Sequence, residues 1–429
     1  MAFMKNALLV CITAVLVVYV PSLWTKTPPT LTAGTVQSGF EPVLKVFRDN
    51  FAKGVESPTG GSAFSVYYKG SKVIDLWGGY ADTEALRPWR EDTMAIVYSL
   101  TKGMAATCIA LLVDRGHVDY DKTVASYWPE FAQNGKENIT VRMLLNHEGG
   151  LSYTDGPISF EQLADQDVLG QLLAKEAPKW EPGSAHGYHG MTFGLYVSQL
   201  LRRADPKHRT LGQFFKEEIA QTFDVDFHIG LPLEVYHRVA RRPAVTTLLQ
   251  TLFKGLTSPL NRQVMWAMAT GKTDFLKVLN IESMTQAEHF LNPELLALEQ
   301  PSASGIGTAR AIAKVYGMMA NGGTTRDGRK FLSDGLIKKF IGEAEKVATM
   351  DRTIGLELLF NLGFMITDEG EQQFGHPGSG GAQGRADPKW RIGMAYITSY
   401  PTPFSMGDDE RFLTLEKATY ECVKKLEAK

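Results

Sequence analysis

Ser99 and Lys102 stand one helical turn apart in Ser99-Leu100-Thr101-Lys102, so on a helix they share a face and can hydrogen-bond. A serine hydroxyl is a poor nucleophile until a neighbouring base takes its proton. A desolvated lysine with a lowered pKa is such a base. The run follows a strand-like Ala95-Ile96-Val97-Tyr98 and opens an apolar helix from Gly103 to Leu112. The N-terminus of that helix would present N–H groups and a positive dipole end to an oxyanion. The same window equally suits a helix-capping serine followed by a solvated lysine, and spacing alone does not choose between them.

Other chemically capable residues are less specific. Tyr188 follows a Pro182-Gly183 turn and reads either as a proton-transfer group or as a surface aromatic. His186 and His189 have a zinc-like spacing, but no H-E-x-x-H or comparable cluster accompanies them, and no metal or other cofactor is expected. Gly271-Lys272-Thr273 hints at a phosphate-binding loop, yet Trp266 and Ala267 stand where its first glycine belongs. His147, before Gly149-Gly150, reads as a structural helix end, and the Met265–Met284 segment as core or cleft lining.

The elements that must position these groups follow from periodicity. Phe40, Val43, Leu44, Phe47 and Phe51 recur at helical spacing. Strands are expected at Ser62–Tyr68 and Lys72–Trp77, joined through Lys69-Gly70-Ser71 as a hairpin. The section from Leu100 to Phe340 is mostly helical by pattern. Strand-like runs return at Leu358–Ile366 and Trp390–Thr398, and a last helix spans Asp409 to Leu426. Strands at both chain ends with helices between predict an α+β fold, with one sheet built from both termini and a large helical insertion over roughly 104–345.

With 45 Lys+Arg against 47 Asp+Glu the chain has a net charge of −2, which argues against nucleic acid as its main partner. Cys11, Cys108 and Cys422 are too few and too scattered for a disulfide framework. Residues 6–25 form an uncharged apolar stretch long enough to span a bilayer, with Tyr19 and Trp24 suited to its interface. No A-x-A cleavage site is evident, so an uncleaved signal anchor is preferred to a cleaved signal peptide, with the body secreted or held in the secretory pathway. Residues 1–37 are then anchor plus Thr/Pro-rich linker, and 38–429 the folded domain. Asn138-Ile139-Thr140 is a glycosylation sequon usable only in the lumen.

Several blocks in order resemble the serine β-lactamase and penicillin-binding-protein superfamily, especially its class C-like, esterase-like and animal β-lactamase-like branch. These are Ser99-Leu100-Thr101-Lys102, the run Thr140 to Leu151 (TVRMLLNHEGGL), Trp180-Glu181-Pro182-Gly183-Ser184 ahead of Tyr188, Ser304 to Arg310 with Asn321-Gly322-Gly323, and Gly375-His376-Pro377-Gly378-Ser379-Gly380-Gly381. The resemblance spans Phe40 to Lys429 and implies a β-lactamase/transpeptidase-like fold. It implies an acyl-enzyme on Ser99, with Lys102 and Tyr188 as general bases and a small-molecule or peptide ester or amide as substrate. The backbone N–H groups of Ser99 and Ser379 would form the oxyanion hole, with His376, Gly378 and His189 beside the substrate.

Two positions depart from the family pattern. Gly190 replaces the Asn of Y-x-N, and His376-Pro377-Gly378 replaces Lys-Thr-Gly. The second change removes a permanent cation, so ester, amide or peptide hydrolysis is expected ahead of classical β-lactamase action. His376 would then read substrate charge by titrating near neutrality. The alternative is an inactive binding or self-assembling protein on the same fold.

Overall fold

The computed structural model describes residue 29 and residues 31–242, 259–271, 273–279, 290–342, 348–367, 373–402, 405 and 407–428. The proposed anchor lies outside them. No helix among the described residues is long and apolar enough to cross a membrane.

The chain starts with β1 (Thr32–Val36), helix α1 (Glu41–Ala52) and the hairpin β2 (Gly61–Tyr68) and β3 (Ser71–Asp82). It ends with β7 (Phe360–Asn361), β8 (Phe364–Thr367), β9 (Gln373–Pro377), β10 (Gln383–Asp387), β11 (Ile392–Thr398) and helix α7 (Glu410–Glu427). These strands form one antiparallel sheet in the order β1-β3-β2-β11-β10-β9-β8-β7. β11 lies against β2, so both chain ends do build the sheet. The hairpin between β2 and β3 turns through Lys69 and Gly70, both at positive φ (49° and 76°), the two-residue turn whose twist matches its strands.

Between the ends come β4 (Ala95–Ile96), α2 (Leu100–Asp114), α3 (Val141–Leu145), α4 (Thr192–Ala204), β5 (Phe227–His228), α5 (Pro259–Ala269), β6 (Ile306–Gly307) and α6 (Ala309–Ala320). β4, β6 and β5 form a small second sheet that clamps the start of α2. α1 and α7 cover one face of the main sheet, with Phe47, Phe64, Ile74, Tyr396 and Phe412 in that layer. α2, α4 and α6 share the other core, in which Met104, Ile109, Phe193, Tyr316 and Phe374 are buried together. The close packing of α6 uses small residues: a Cβ on Gly393 of β11 would collide with the backbone of Gly317.

Two expectations are corrected. Residues 32–36 are not linker but an edge strand in register with β3, Gly34 facing Leu76. Short Thr, Ala and Gly side chains carry no hydrophobic alternation, so only backbone pairing reveals the strand. The run Leu358–Ile366 is not one strand but the hairpin of β7 and β8, folded back at Leu362 (φ 51°) and Gly363 (φ 89°). The helical stretch between the two sheet-forming ends packs back on the main sheet through α2 and α6, and one core runs through both.

Candidate active site

The chain leaves β4 and enters α2 through Tyr98, whose φ of 48° is left-handed. That conformation costs a non-glycine residue on the order of 1–3 kcal/mol and needs outside support. Arg242 supplies it, its Nη1 donating to the Tyr98 hydroxyl at 2.8 Å, while Phe290 packs edge-on at 5.2 Å. The sharp turn delivers Ser99 to the N-terminus of a helix in which residues 100–112 are all buried. Ser99 makes no side-chain capping bond. Its Oγ lies 3.2 Å from Lys102 Nζ, so the arrangement is not that of a capping serine with a solvated lysine.

Lys102 is fully buried. Its Nζ donates to Gly190 O at 2.6 Å and to Ser302 O at 2.9 Å. Among the described residues no carboxylate offsets that burial. Burial therefore pushes its pKa well below the ordinary value, and the positive end of α2 acts in the same direction. Tyr188 completes the group. Its hydroxyl is near enough to Ser99 for that side chain to oppose the effect of burial on the phenol, and Lys102 Nζ lies 4.8 Å from its ring centre. Phe360 stacks on the ring at 5.9 Å, and His147 packs at 4.9 Å. Burial raises the phenol above its usual pKa, so Tyr188 rests as a neutral phenol and not as the phenolate a resting base would need. Around it Val264, Ile354, Leu356 and Met365 make an apolar wall.

β9 brings the remaining residues alongside. A Cβ on Gly378 would meet the carbonyl of Val97, so only glycine lets the strand end this close to the nucleophile turn. The Gly378 N–H is occupied, donating to Ala382 O at 2.7 Å. Among the described residues, the amides of Ser99 and Ser379 have no backbone hydrogen-bond acceptor. His376 is buried, its ring 6.1 Å from that of Tyr188 and its Nδ1 bonded to Pro377 O at 2.7 Å.

Two expectations fail here. Burial, with Lys102 nearby, lowers the His376 pKa to about 3, so the ring stays neutral at physiological pH and does not sense substrate charge there. His189 does not reach the substrate side. It is fully buried, and its ring nitrogens are spent on the Leu151 amide (2.8 Å) and Gly187 O (2.6 Å). Its amide in turn donates to His147 Nδ1 at 3.1 Å, which makes both histidines scaffold for the Tyr188 loop.

Sequence reasoning missed the carbonyls of Gly190 and Ser302, because every residue carries one and no side-chain type marks them. It also missed the consequence of Gly190. A Cβ there would collide with Val278, which fills the space that the family's Asn would occupy.

Comparison with known proteins gives one consistent answer. The family model described as Beta-lactamase matches residues 47–418. "Esterase/beta-lactamase LipL" of Mycobacterium tuberculosis is 35% identical over 358 residues, 82% of this chain and 80% of that protein. The crystal structure of a family VIII carboxylesterase superposes with a TM-score of 0.77 at 35% identity, covering 91% of this chain and 100% of that one. A penicillin-binding protein homologue from Caulobacter crescentus gives 0.74 at 31% identity, with 91% and 100% covered.

Proposed function

The chain belongs to the beta-lactamase family of serine hydrolases, and from that premise we propose that it cleaves small, apolar carboxylic esters through an acyl-enzyme on Ser99. The observation that carries this reading is the setting of Lys102. Two carbonyls take two N–H bonds, and the remaining direction faces Ser99 Oγ. A neutral amine has two N–H donors and one lone pair, so this environment suits the free base, with the lone pair on the serine hydroxyl.

In acylation the Ser99 proton moves to Lys102 as Oγ attacks the carbonyl carbon, and the Ser99 and Ser379 amides receive the oxyanion. The tetrahedral intermediate collapses as Tyr188 gives its phenolic proton to the departing alkoxide. The Lys102 ammonium stabilises the resulting phenolate and returns a proton to it. Water then repeats the sequence in reverse on the acyl-enzyme. The apolar wall around Tyr188 and the neutral His376 favour an uncharged acyl group. The contact among Ser99, Lys102 and Tyr188 weighs against an inactive binding protein.

The test is covalent labelling. An activated phosphonate should modify the protein once, Ser99→Ala should abolish the label, and Lys102→Ala should slow it by roughly 10²-fold or more, the scale of a lost general base. Labelling that survives Ser99→Ala would refute the assignment.

The apolar residues 6–25 are read as a signal anchor holding the body in the lumen or outside the cell. Asn138 is exposed in a turn and free to carry a glycan there. Endoglycosidase treatment should shift the wild type and leave Asn138→Gln unchanged; a cytosolic, unglycosylated body contradicts this topology.

A further inference from the structure

A buried carboxylate lies under Tyr188. Asp351 is 1% exposed and belongs to the segment that precedes β7. Its Oδ2 accepts the Tyr188 amide at 2.7 Å, and its Oδ1 accepts those of Thr353 at 2.9 Å and Ile354 at 2.8 Å. His186 Nε2 stands 3.4 Å from Oδ2, and the Thr349 hydroxyl meets His186 Nδ1 at 2.9 Å. With that hydroxyl donating, the remaining imidazole proton sits on Nε2, close to the carboxylate but outside hydrogen-bond geometry. The Arg352 amide donates to His186 O at 3.1 Å, a second stitch between the same two segments.

One carboxylate thus joins the loop that carries Tyr188 to the segment whose Ile354 and Leu356 pack on the Tyr188 ring. An apolar side chain would fill the space without the desolvation cost of an ionised group. The acid is attached instead to the backbone of the residue that touches Ser99.

We propose that Asp351, with His186 beside it, is a positioning residue that holds the Tyr188 phenol on the line between Ser99 and the leaving oxygen. This rests on the reading of Tyr188 as the proton donor to the leaving group. A protonated carboxyl replaces one acceptor site with a donor and loosens its hold on the three amides. Burial raises the Asp351 pKa to about 7, the amides opposing, so the hold weakens as pH falls through neutrality. The ionisable groups against it are His186, on the loop leading to Tyr188, and the Tyr188 phenol. Arg352, next in its own segment, turns its guanidinium over the Trp180 ring at 5.4 Å.

The experiment uses two esters of one acyl group, a nitrophenyl ester whose leaving group departs as an anion unaided and an ethyl ester that needs a proton. Effects on acylation common to both, including titration of Lys102, cancel in the ratio of their kcat/KM values, which leaves out deacylation of the shared acyl-enzyme. Tyr188→Phe should depress the ethyl ester selectively. Asp351→Asn should do the same in lesser degree, by roughly tenfold in the ratio, below the ~10²–10⁴-fold of losing the general acid itself. In the wild type the ethyl-to-nitrophenyl ratio should fall between about pH 8 and pH 6, and in Asp351→Asn it should be flat. The wild-type profile needs no variant, so a poorly folding Asp351→Asn leaves the proposal exposed to refutation. A wild-type ratio independent of pH overturns it, as does an equal loss on both esters in Asp351→Asn. Phosphonate labelling of Ser99 and wild-type turnover of the nitrophenyl ester report on the hydrolase reading separately.

Discussion

Replacing Lys102 by methionine keeps the side-chain length and removes the amine, and its effect on stability should depend on pH in a way only a neutral lysine produces. In the unfolded chain the amine titrates near 10.4. In the fold, burial that no carboxylate among the described residues offsets lowers that pKa well below the ordinary value. The folded pKa is depressed, so the favourable contribution is complete above the unfolded pKa and is lost as pH falls toward the folded one. Between the two, unfolding takes up one proton, and wild-type stability falls by about 1.4 kcal/mol for each pH unit lost.

The methionine variant has no such dependence at this position. It leaves Gly190 O and Ser302 O without their donors, a pH-independent cost of about 1–3 kcal/mol per carbonyl. The stability difference between variant and wild type should therefore drift by roughly 3 kcal/mol over two pH units, with methionine looking progressively worse as pH rises. Urea denaturation followed by tryptophan fluorescence at about pH 7.5, 8.5 and 9.5 measures it, other titrations cancelling between the proteins. A difference that does not move with pH would mean that Lys102 keeps its proton in the fold, and the free-amine mechanism would be wrong.

Two further outcomes follow from the same geometry. His376 stays neutral, its pKa near 3, so kcat/KM for a neutral ester relative to its carboxylated counterpart should be constant from about pH 5.5 to 8.5; a preference for the anionic ester that rises on acidification would show that the ring titrates in that range. Gly190→Asn, which restores the family residue, should cost about 1–3 kcal/mol and depress activity because its Cβ strikes Val278, and Val278→Ala should recover part of both losses; an unimpaired single variant would show that the loop yields freely.

Much of the frame was legible because it rests on local periodicity. The three-residue spacing of Ser99 and Lys102 places them on one helix face wherever that helix packs. The positions Phe40, Val43 and Phe47 point one way by helical geometry alone, and Lys69-Gly70 is a turn because glycine accepts positive φ at no cost. β1 escaped for the complementary reason, since its Thr, Ala and Gly residues have no pattern to read and the strand exists only through the backbone of β3.

The chemistry of the site belongs to the tertiary structure. The carbonyls that hold Lys102 come from residues 88 and 200 positions away in the chain, and a carbonyl has no signature in sequence. Whether Lys102 is charged, whether His376 titrates near neutrality and whether Tyr188 rests as a phenol depend on desolvation, a property of everything packed around a group. Residue types and spacing determine which atoms are capable of proton transfer. Packing determines which of them carry a proton at rest, because burial changes the free energy of a charge far more than that of its neutral form.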